Sequence, residues 1–596
     1  MLLFIIIVCI SSIRKRENEA CGQVVEAHGF VTIVLLAMNR ASSLQSALQS
    51  LQETIFCGDY VRLIIRFDKG DGQNAAIEVA DKFNFSHGEK QIIYPTISMG
   101  LAASWLHAWQ PTYEEEVTLI LEDDIVLSRF WYCWLRQAWT DNMHRVDLAG
   151  ISLQRQTLIP LKTARSRADF QSQQGAFLYP LVGSIGFSPH PQRWNEFLRW
   201  VEAVDFNQFD VSVMGLITSD WWQAGNKRDM WTQHFIYFCL QRQLLTLYVN
   251  PPSLTALATH TRSRGVHFVD TVGPDFEPLS HSHVKYSEKA QLHRYTWDGT
   301  RIKGHQDEIS KRLILSTIIT RAKEIMMKNN FVYMMFLNHG YTTITLNWIC
   351  SVKTLNGKVL KNAIFIVSDF DTASILRNAH PDLNFFVQES SATLSRTEFG
   401  TFEYYSVVQA RILVQNELIQ AGVSIQIIEP DQIWLKDITS LLRHKLMQHD
   451  IVAGDETAFT SQHEKKICGG FYGVRSTART KRIFDSYTRQ YTQYLSNFKA
   501  FEGKHGRIPH FEDDQVFLTK FLLSMEVKID WLAHCDYANG LWFDKRAFRA
   551  HCPKPAVIHN NFIVGVRGKI GRAIFHDHWH LKSDLQCPVR GTEVKI

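Results

Sequence analysis

Three adjacent acidic residues follow an apolar stretch in the first half of the sequence. VTLILEDDIVLS (117–128) places Glu122, Asp123 and Asp124 after five mostly apolar residues and resumes with Ile-Val-Leu. Neighbouring carboxylates repel one another, and acids are rarely buried unless they are paired or bind a metal. We therefore expect a positive charge beside this acidic group.

A second apolar run ends in the same way. VSIQIIEPDQIWL (423–435) places Glu429 and Asp431 after the run. Carboxylate oxygens suit Mg²⁺ or Mn²⁺, and Mg²⁺ is characteristically held by one or two protein carboxylates together with substrate phosphates. Such an ion would neutralise charge on a leaving phosphate. The alternative is an acidic turn or helix N-cap in solvent; the strongly apolar runs before both acidic groups favour a metal site.

Strand-like and helix-like segments alternate around both acidic groups. FVTIVLLAMNR (30–40) and VRLIIRFDKGDG (61–72) predict strands, and the leucines between them have helical spacing. The pattern restarts with strands at 331–338 and 362–371 and a helix at 403–422. This alternation predicts α/β structure with mostly parallel sheets and sites at the carboxyl ends of strands.

Length and charge limit the possible organisation. With 596 residues and 45% hydrophobic content, the chain is long enough for two large α/β domains. Its 64 basic and 59 acidic residues are spread along the chain, so the net charge of +5 does not indicate a nucleic-acid partner. The ten cysteines contain no CxxC pair; they are either buried thiols or disulfides of a secretory lumen.

The first half resembles GT-A glycosyltransferases in several segments. LILEDDIVLSRFW is similar to their metal-binding strand, AMNRASSLQSALQSL to the start of family 2-like members, and RFDKGDG to their nucleotide-contacting turn. The resemblance implies that Asp123, Asp124 and the later His260 bind the metal and that Asp68 contacts the nucleotide. It also implies inversion of the anomeric configuration, with a carboxylate such as Asp220 of TSDWW as the base.

The second half resembles glycosyltransferase family 77, the nucleotide-diphospho-sugar transferases, in four motifs. They occur in the family's order: IIEPDQIWLKDI for D-x-D-x-x-W, ICGGFYGVRST, EDDQVFL for the D-Q motif, and VIHNNFIVGVRGK for the terminal histidine–asparagine motif. The first motif departs from the family because Glu429 replaces an aspartate.

The family 77 resemblance implies a role for each matching residue, and retention of the anomeric configuration. Asp431 and His559 would bind the metal, and Glu429 would contact the metal or the ribose. The two cations, Arg411 and Lys569, would face the diphosphate. The pair that would lie near the anomeric carbon of the sugar is Asp514 and Gln515.

The fold expected from these observations is α/β, with two GT-A-like, Rossmann-like domains in tandem. The expected boundaries are a signal peptide or short signal anchor (1–20), a first domain (25–300), a helical linker (301–328) and a family 77-like domain (329–596). The apolar start, MLLFIIIVCISSIRKR, and one sequon, Asn84-Phe85-Ser86, fit a Golgi or endoplasmic reticulum lumen enzyme, secreted or anchored to the membrane by its N-terminus.

The predicted function is metal-dependent transfer of a hexose or pentose from a UDP- or GDP-sugar to a glycan or glycoprotein hydroxyl, with two catalytic domains. In one alternative only one domain is catalytic and the other holds the acceptor. In another, the chain binds carbohydrate without turnover. A nucleotidyltransferase would need a glycine-rich phosphate loop near the N-terminus, and the sequence has none there.

Overall fold

The computed structural model describes residues 31–588 except for short segments. These are 95–96, 165–166, 169, 171–175, 205–208, 226–229, 262–275, 281–291, 303–306, 356–357, 389–398, 458–464, 505 and 583. The predicted signal segment, 1–20, lies outside the described residues. The chain divides into two compact units, Met1–Leu313 and Ile314–Ile596. The helix Glu308–Asn329 crosses this boundary and includes most of the segment 301–328 that was predicted as a linker.

A nine-stranded sheet forms the centre of the first unit, in the order β13-β7-β9-β6-β8-β4-β1-β2-β3. Its strands are β1 (Val31–Ala37), β2 (Val61–Phe67), β3 (Gly88–Ile93), β4 (Val117–Glu122), β6 (Leu148–Ser152), β7 (Phe177–Tyr179), β8 (Phe187–Pro189), β9 (Leu245–Tyr248) and β13 (His293–Arg294). Four short strands lie in separate pairs: β5 (Ile125–Leu127), β10 (Thr255–Ala256), β11 (Ala258–His260) and β12 (Glu277–Pro278). The pairs β1–β2, β1–β4 and β2–β3 are parallel.

Helices cover this sheet because their apolar faces match its buried side chains. They are α1 (Ala41–Gln52), α2 (Asn74–Lys82), α3 (Leu101–Leu106), α4 (Trp131–Asn142), α5 (Pro191–Ala203), α6 (Ile217–Ala224) and α7 (Trp231–Arg242). The next helix, α8 (Glu308–Asn329), lies mostly in the second unit. In α1 the leucines at helical spacing, Leu44, Leu48 and Leu51, are fully buried and pack in one cluster with Ile33 and Leu35 of β1. This burial of apolar area is what holds β1 and its crossover helix together.

The second unit contains a seven-stranded sheet in the order β16-β15-β14-β17-β20-β19-β21 and a small three-stranded sheet in the order β18-β23-β22. The strands are β14 (Val332–Leu337), β15 (Ala363–Val367), β16 (Phe385–Val387), β17 (Ile425–Ile428), β18 (Gln432–Trp434), β19 (Ile451–Asp455), β20 (Ile467–Val474), β21 (Ile529–Trp531), β22 (Tyr537–Ala538) and β23 (Val557–His559). Strands β14 to β17 pair in parallel, whereas β20 runs antiparallel to both of its neighbours.

The helices of the second unit follow the strands in alternation. They are α9 (Thr342–Lys353), α10 (Lys358–Lys361), α11 (Phe370–Ala379), α12 (Phe402–Gln420), α13 (Thr439–Gln448), α14 (Ala478–Ser496), α15 (Asp514–Ser524), α16 (Leu541–Asp544), α17 (Arg546–His551) and α18 (Val566–Phe575). The prediction of α/β structure with mostly parallel sheets is confirmed. In the part of the chain that the structure describes, no helix is both long enough and apolar enough to span a membrane.

Two disulfides lie in the second unit. Cys350 of α9 bonds to Cys587, 237 positions later, and Cys535 bonds to Cys552, 17 positions later. Of the two alternatives that the sequence left open, buried thiols or disulfides, these four cysteines form disulfides. Two others, Cys239 and Cys468, are buried free thiols.

We expect the Cys350–Cys587 bond to contribute about 2–4 kcal/mol to the free energy of unfolding, since it closes a long loop in the unfolded chain. The double variant Cys350→Ala/Cys587→Ala should therefore unfold at lower denaturant concentration. A matched variant, Cys535→Ala/Cys552→Ala, opens a much shorter loop, so its free energy of unfolding should decrease by a smaller amount. Equal losses in urea titrations of the second unit would contradict an origin in loop entropy.

Candidate active site

The end of strand β17 and the pairing of β18 with β23 assemble the acidic site of the second unit. Strand β17 ends at Ile428, so Glu429 and Asp431 follow at its carboxyl end. The next strand, β18, pairs antiparallel with β23, and the register places Gln432 opposite His559. This register brings the histidine next to Asp431 although the two are far apart in sequence.

Three possible ligand atoms converge there. The Nε2 of His559 lies 3.2 Å from Oε2 of Glu429 and 3.3 Å from Oδ1 of Asp431. Only 2% of the Asp431 side chain and 6% of the His559 side chain are exposed. Both Nε2 of His559 and Oδ1 of Asp431 are buried without a hydrogen-bond partner. Buried polar atoms are costly to leave unpaired, so the pair indicates a site built for something that binds between them.

Two cations flank these carboxylates. The Nζ of Lys569 in α18 pairs with Oδ2 of Asp431. The guanidinium of Arg411 in α12 donates to Oε1 of Glu429 at 3.0 Å and also pairs with Oδ2 of Asp514. Both predicted phosphate-facing cations therefore lie in the site, Lys569 held by one acid and Arg411 by two.

The remaining predicted site residue, Gln515, lies beside strand β20. Its Oε1 accepts the backbone N–H of Gly469 at 3.1 Å. A Cβ on the next residue, Gly470, would lie 2.4 Å from Oε2 of Glu429. The glycine pair therefore lets β20 pass directly behind the acidic side chains, where any larger residue would displace the Glu429 carboxylate.

The local charges hold the two central groups ionised. Burial opposes the ionisation of Asp431, but Lys569 and His559 bring its pKa below the ordinary value. Burial likewise opposes protonation of His559, but Cys468 and Asp431 raise its pKa well above the ordinary value. A cation binding at Nε2 must therefore displace a proton, so its affinity should rise with pH.

The residues of this site fit a divalent cation. Among the described residues, two groups of three could hold a metal ion: Glu429, Asp431 and His559, and Glu456, Cys468 and His559. In each group the ligand atoms lie within 4.8 Å of one another. The first group has two carboxylates and one imidazole, a donor set suited to Mn²⁺ or Mg²⁺.

In the first unit, the protein itself places a cation against the acidic group. Arg40, directly before α1, pairs with Oδ1 of Asp123 and donates to Oδ2 of Asp124 at 2.7 Å. The backbone N–H of Met38 donates to Asp123 at 3.3 Å. Because β1 and β4 are parallel neighbours, the residues that follow them meet at one sheet edge. The positive charge expected there is a guanidinium.

His260, predicted as a metal ligand, does approach this group. Strand β11 pairs antiparallel with β5, and this places Nδ1 of His260 3.7 Å from Oδ2 of Asp124. Oδ1 of Asp124 is buried without a hydrogen bond. The third acid, Glu122, accepts the indole N–H of Trp105 at 3.0 Å, and burial together with Asp124 raises its pKa to about 7.

The other two predicted residues of the first unit lie in different settings. Asp68 accepts backbone N–H groups of Met99 and Gly100 at 2.7 and 2.8 Å, so its carboxylate ties two loops together. Asp220, in the first turn of α6, pairs with Lys162 at 2.7 Å, and 55% of its side chain is exposed. Neither makes a contact with Asp123 or Asp124 among the described hydrogen bonds and ion pairs. The roles as nucleotide contact and as base stay predictions.

The sequence interpretation missed several functional candidates. Arg40 stands in a quoted motif, and a parallel arrangement of the first and fourth strands would have placed it beside the acids. Three residues behind His559, namely Glu456, Cys468 and Tyr537, carried no signal of their own, since each follows or lies within a strand that reads only as apolar core.

Comparison with known protein families gives a match for the segment that contains this site. Residues 358–572 match the family model described as nucleotide-diphospho-sugar transferase. That segment therefore carries a glycosyltransferase domain. It includes Glu429, Asp431, His559 and Lys569. The prediction of a glycosyltransferase enzyme is confirmed through this domain. The match does not reach the first unit, so the family 2-like resemblance stays a prediction.

One curated relative and two solved structures are similar to parts of the chain. UDP-galactose:fucoside alpha-3-galactosyltransferase of Dictyostelium discoideum is 24% identical over 210 residues, which are 31% of this chain and 30% of that protein. The galactosyltransferase LgtC is 10% identical, with 42% of this chain and 95% of LgtC covered and a TM-score of 0.29. Mouse xyloside xylosyltransferase 1 is 14% identical, with 40% and 99% covered and a TM-score of 0.27.

Proposed function

We propose that the second unit transfers a sugar from a nucleotide-sugar donor to a hydroxyl group of a glycan or glycoprotein, with Mn²⁺ or Mg²⁺ as cofactor. The observation that carries this proposal is the convergence of Glu429, Asp431 and His559 inside the segment that matches the family. The Nε2 atom of His559 and the Oδ1 atom of Asp431 are buried without a hydrogen-bond partner, and both could coordinate a bound cation.

Each neighbouring side chain has a role consistent with its charge. A bound cation would hold the donor's diphosphate and offset its charge. Lys569 would release Asp431 and turn to a phosphate oxygen, since ammonium groups bind phosphates as point charges. Arg411 would keep Glu429 and Asp514 ionised and in place. Asp514 and Gln515 would face the sugar, where we expect transfer with retention of configuration.

The donor is proposed to be a UDP-sugar, with UDP-galactose as the first to test, because the curated relative is named for it. The full chain should hydrolyse a panel of UDP- and GDP-sugars slowly with Mn²⁺, and one donor should stand out. EDTA should abolish this turnover and added Mn²⁺ should restore it. A chain that binds a glycan but never hydrolyses any donor would instead be a carbohydrate-binding protein.

A second candidate is that the first unit also transfers sugar. It is supported by His260 next to Asp124 and by the unpartnered oxygen of Asp124. Two active sites predict that Asp124→Asn and Asp431→Asn abolish transfer to different acceptors or from different donors. If only Asp431→Asn has an effect, the first unit holds the acceptor or has a structural role.

We place the protein in the lumen of the Golgi or endoplasmic reticulum, secreted or anchored by its N-terminal segment. Two disulfides in the second unit support this proposal, because structural disulfides persist in oxidising compartments and are rare in the cytosol. Modification of Asn84 by N-glycosylation in a eukaryotic host would support it further. Fractionation with cytosolic markers would contradict it.

A further inference from the structure

A buried hydrogen-bonded group lies behind His559, on the side away from the acidic site. The Nδ1 atom of His559 is 3.1 Å from the hydroxyl of Tyr537, 3.3 Å from Sγ of Cys468 and 3.6 Å from Oε1 of Glu456. Tyr537 contacts Oε1 of Glu456 at 2.9 Å, and the amide of Asn561 donates to Oε2 of Glu456 at 2.7 Å. Only 3% of the Glu456 side chain is exposed.

The direction of these hydrogen bonds follows from the chemistry of Glu456. An ionised carboxylate only accepts, so the Tyr537 hydroxyl must donate to it. Having given its proton to Glu456, the Tyr537 oxygen can only accept from Nδ1 of His559. The Cys468 thiol is a weak donor and acceptor and does not reverse this order. The proton of a neutral His559 therefore sits on Nδ1, and the lone pair of Nε2 points towards Glu429 and Asp431.

We propose that Glu456 is a positioning residue that fixes the tautomer and orientation of His559, through Tyr537, so that Nε2 is ready to bind the cation. The inference rests on the proposed metal site and deepens it by assigning the residues behind it. Metal-binding histidines commonly donate their other N–H to a carboxylate directly or through another group. Here the carboxylate of Glu456 does not bond to the histidine directly, and the hydroxyl of Tyr537 lies between the two.

The substitution Glu456→Gln tests this arrangement without a change of size. Asn561 would still donate its hydrogen bond, now to the amide oxygen of the glutamine. The NH₂ group of the glutamine would then face Tyr537. The NH₂ group donates, so the Tyr537 hydroxyl would turn to donate to Nδ1. The proton of His559 would then have to sit on Nε2, where it blocks the cation. One substitution therefore reverses the whole chain of hydrogen bonds.

We expect Glu456→Gln to weaken the binding of Mn²⁺ alone to the full chain by about 10-fold or more, measured by electron paramagnetic resonance of free Mn²⁺. Tyr537→Phe, which removes the intermediate hydroxyl, should weaken it in the same direction. In turnover, the Mn²⁺ concentration needed for half-maximal rate should rise while the rate at saturating Mn²⁺ is largely retained. A purely structural role would lower the melting temperature and the maximal rate and leave the Mn²⁺ affinity of the folded protein unchanged.

Glu196→Gln is the matched control. Glu196 is also a buried glutamate, 8% exposed, and it accepts a hydrogen bond from Arg193 at 2.7 Å in the first unit. This variant should bind Mn²⁺ as the wild type does. Unchanged Mn²⁺ affinity in both Glu456→Gln and Tyr537→Phe would overturn the inference while the proposed function stands.

Two further results would also overturn it. If the wild type binds no Mn²⁺, or binds it equally well after Asp431→Asn, the metal site of the proposed function is wrong, and the inference fails with it. If a bound ion is lost only on Cys468→Ser, the ion lies between Glu456, Cys468 and Nδ1. The histidine would then use that nitrogen as a ligand and not as a donor.

Discussion

Asp431→Asn should lower kcat/KM for sugar transfer by about 100- to 1000-fold, comparable to the loss of one group that stabilises transition-state charge. Asparagine has the same shape but no charge, and its amide presents only one oxygen. The orphaned Oδ1 that faces His559 would lose its charge, and Lys569 would lose its partner. Steady-state kinetics at several Mn²⁺ concentrations measure the effect, and excess Mn²⁺ should not restore the rate.

Asp530→Asn is the matched control for this variant. Asp530 of β21 pairs with Lys445 at 2.8 Å, so it too is an aspartate–lysine pair of the second unit, but none of its described contacts is with a residue of the acidic site. Its loss should leave kcat/KM within about twofold. Equal effects of the two substitutions would show that Asp431 acts through stability, and the proposed role in cation binding would have to be abandoned.

Arg40→Ala should destabilise the first unit by about 3 kcal/mol. The side chains of Asp123 and Asp124 are only 2% and 8% exposed, and removing the partner of buried charges leaves them uncompensated. This value is at the lower end of the range that is usual for removing one partner of a buried ion pair. We choose the lower end because 29% of the Arg40 side chain is exposed, so solvent screens part of the interaction. Hydrogen exchange in peptides of β1 and β4 measures the loss within the first unit.

The control for Arg40→Ala is Arg62→Ala. Arg62 pairs with Glu89 at 3.9 Å, and both side chains are about half exposed, at 46% and 58%, so this loss should cost less than about 1 kcal/mol.

Mn²⁺ should stabilise the Arg40→Ala variant more than the wild type, since the ion can take the place of the guanidinium between the carboxylates. Equal stabilisation of the wild type and of Arg40→Ala by Mn²⁺ would show that Arg40 does not occupy a cation-binding position.

The alternation of apolar runs predicted the strands and helices that carry the acidic groups. The apolar segments before Glu122 and before Glu429 form central strands. A central strand of a parallel sheet has helices on both of its faces, so its side chains are apolar without interruption. The leucines of α1 are buried for the same reason. These features depend on local sequence, and local sequence shows them.

The partners of the acids depended on strand order, which spacing does not determine. His559 reaches Asp431 only because β18 and β23 pair, and these strands are more than a hundred residues apart. Similarity to family motifs pointed to this histidine; periodicity alone could not. Arg40 was missed because the expected positive charge was assigned to a metal ion, although the parallel pairing of β1 and β4 places the arginine there.

The pairing of β18 with β23 has a consequence for the order in which the protein matures. All seven strands of the larger sheet of the second unit are complete by Trp531, yet the imidazole and the ammonium group that flank Asp431 come from residues 559 and 569. A nascent chain on the ribosome can thus build the whole sheet while the acidic site still lacks two of its members. The acidic site is therefore complete only after β23 has paired with β18 and α18 has brought Lys569 to Asp431.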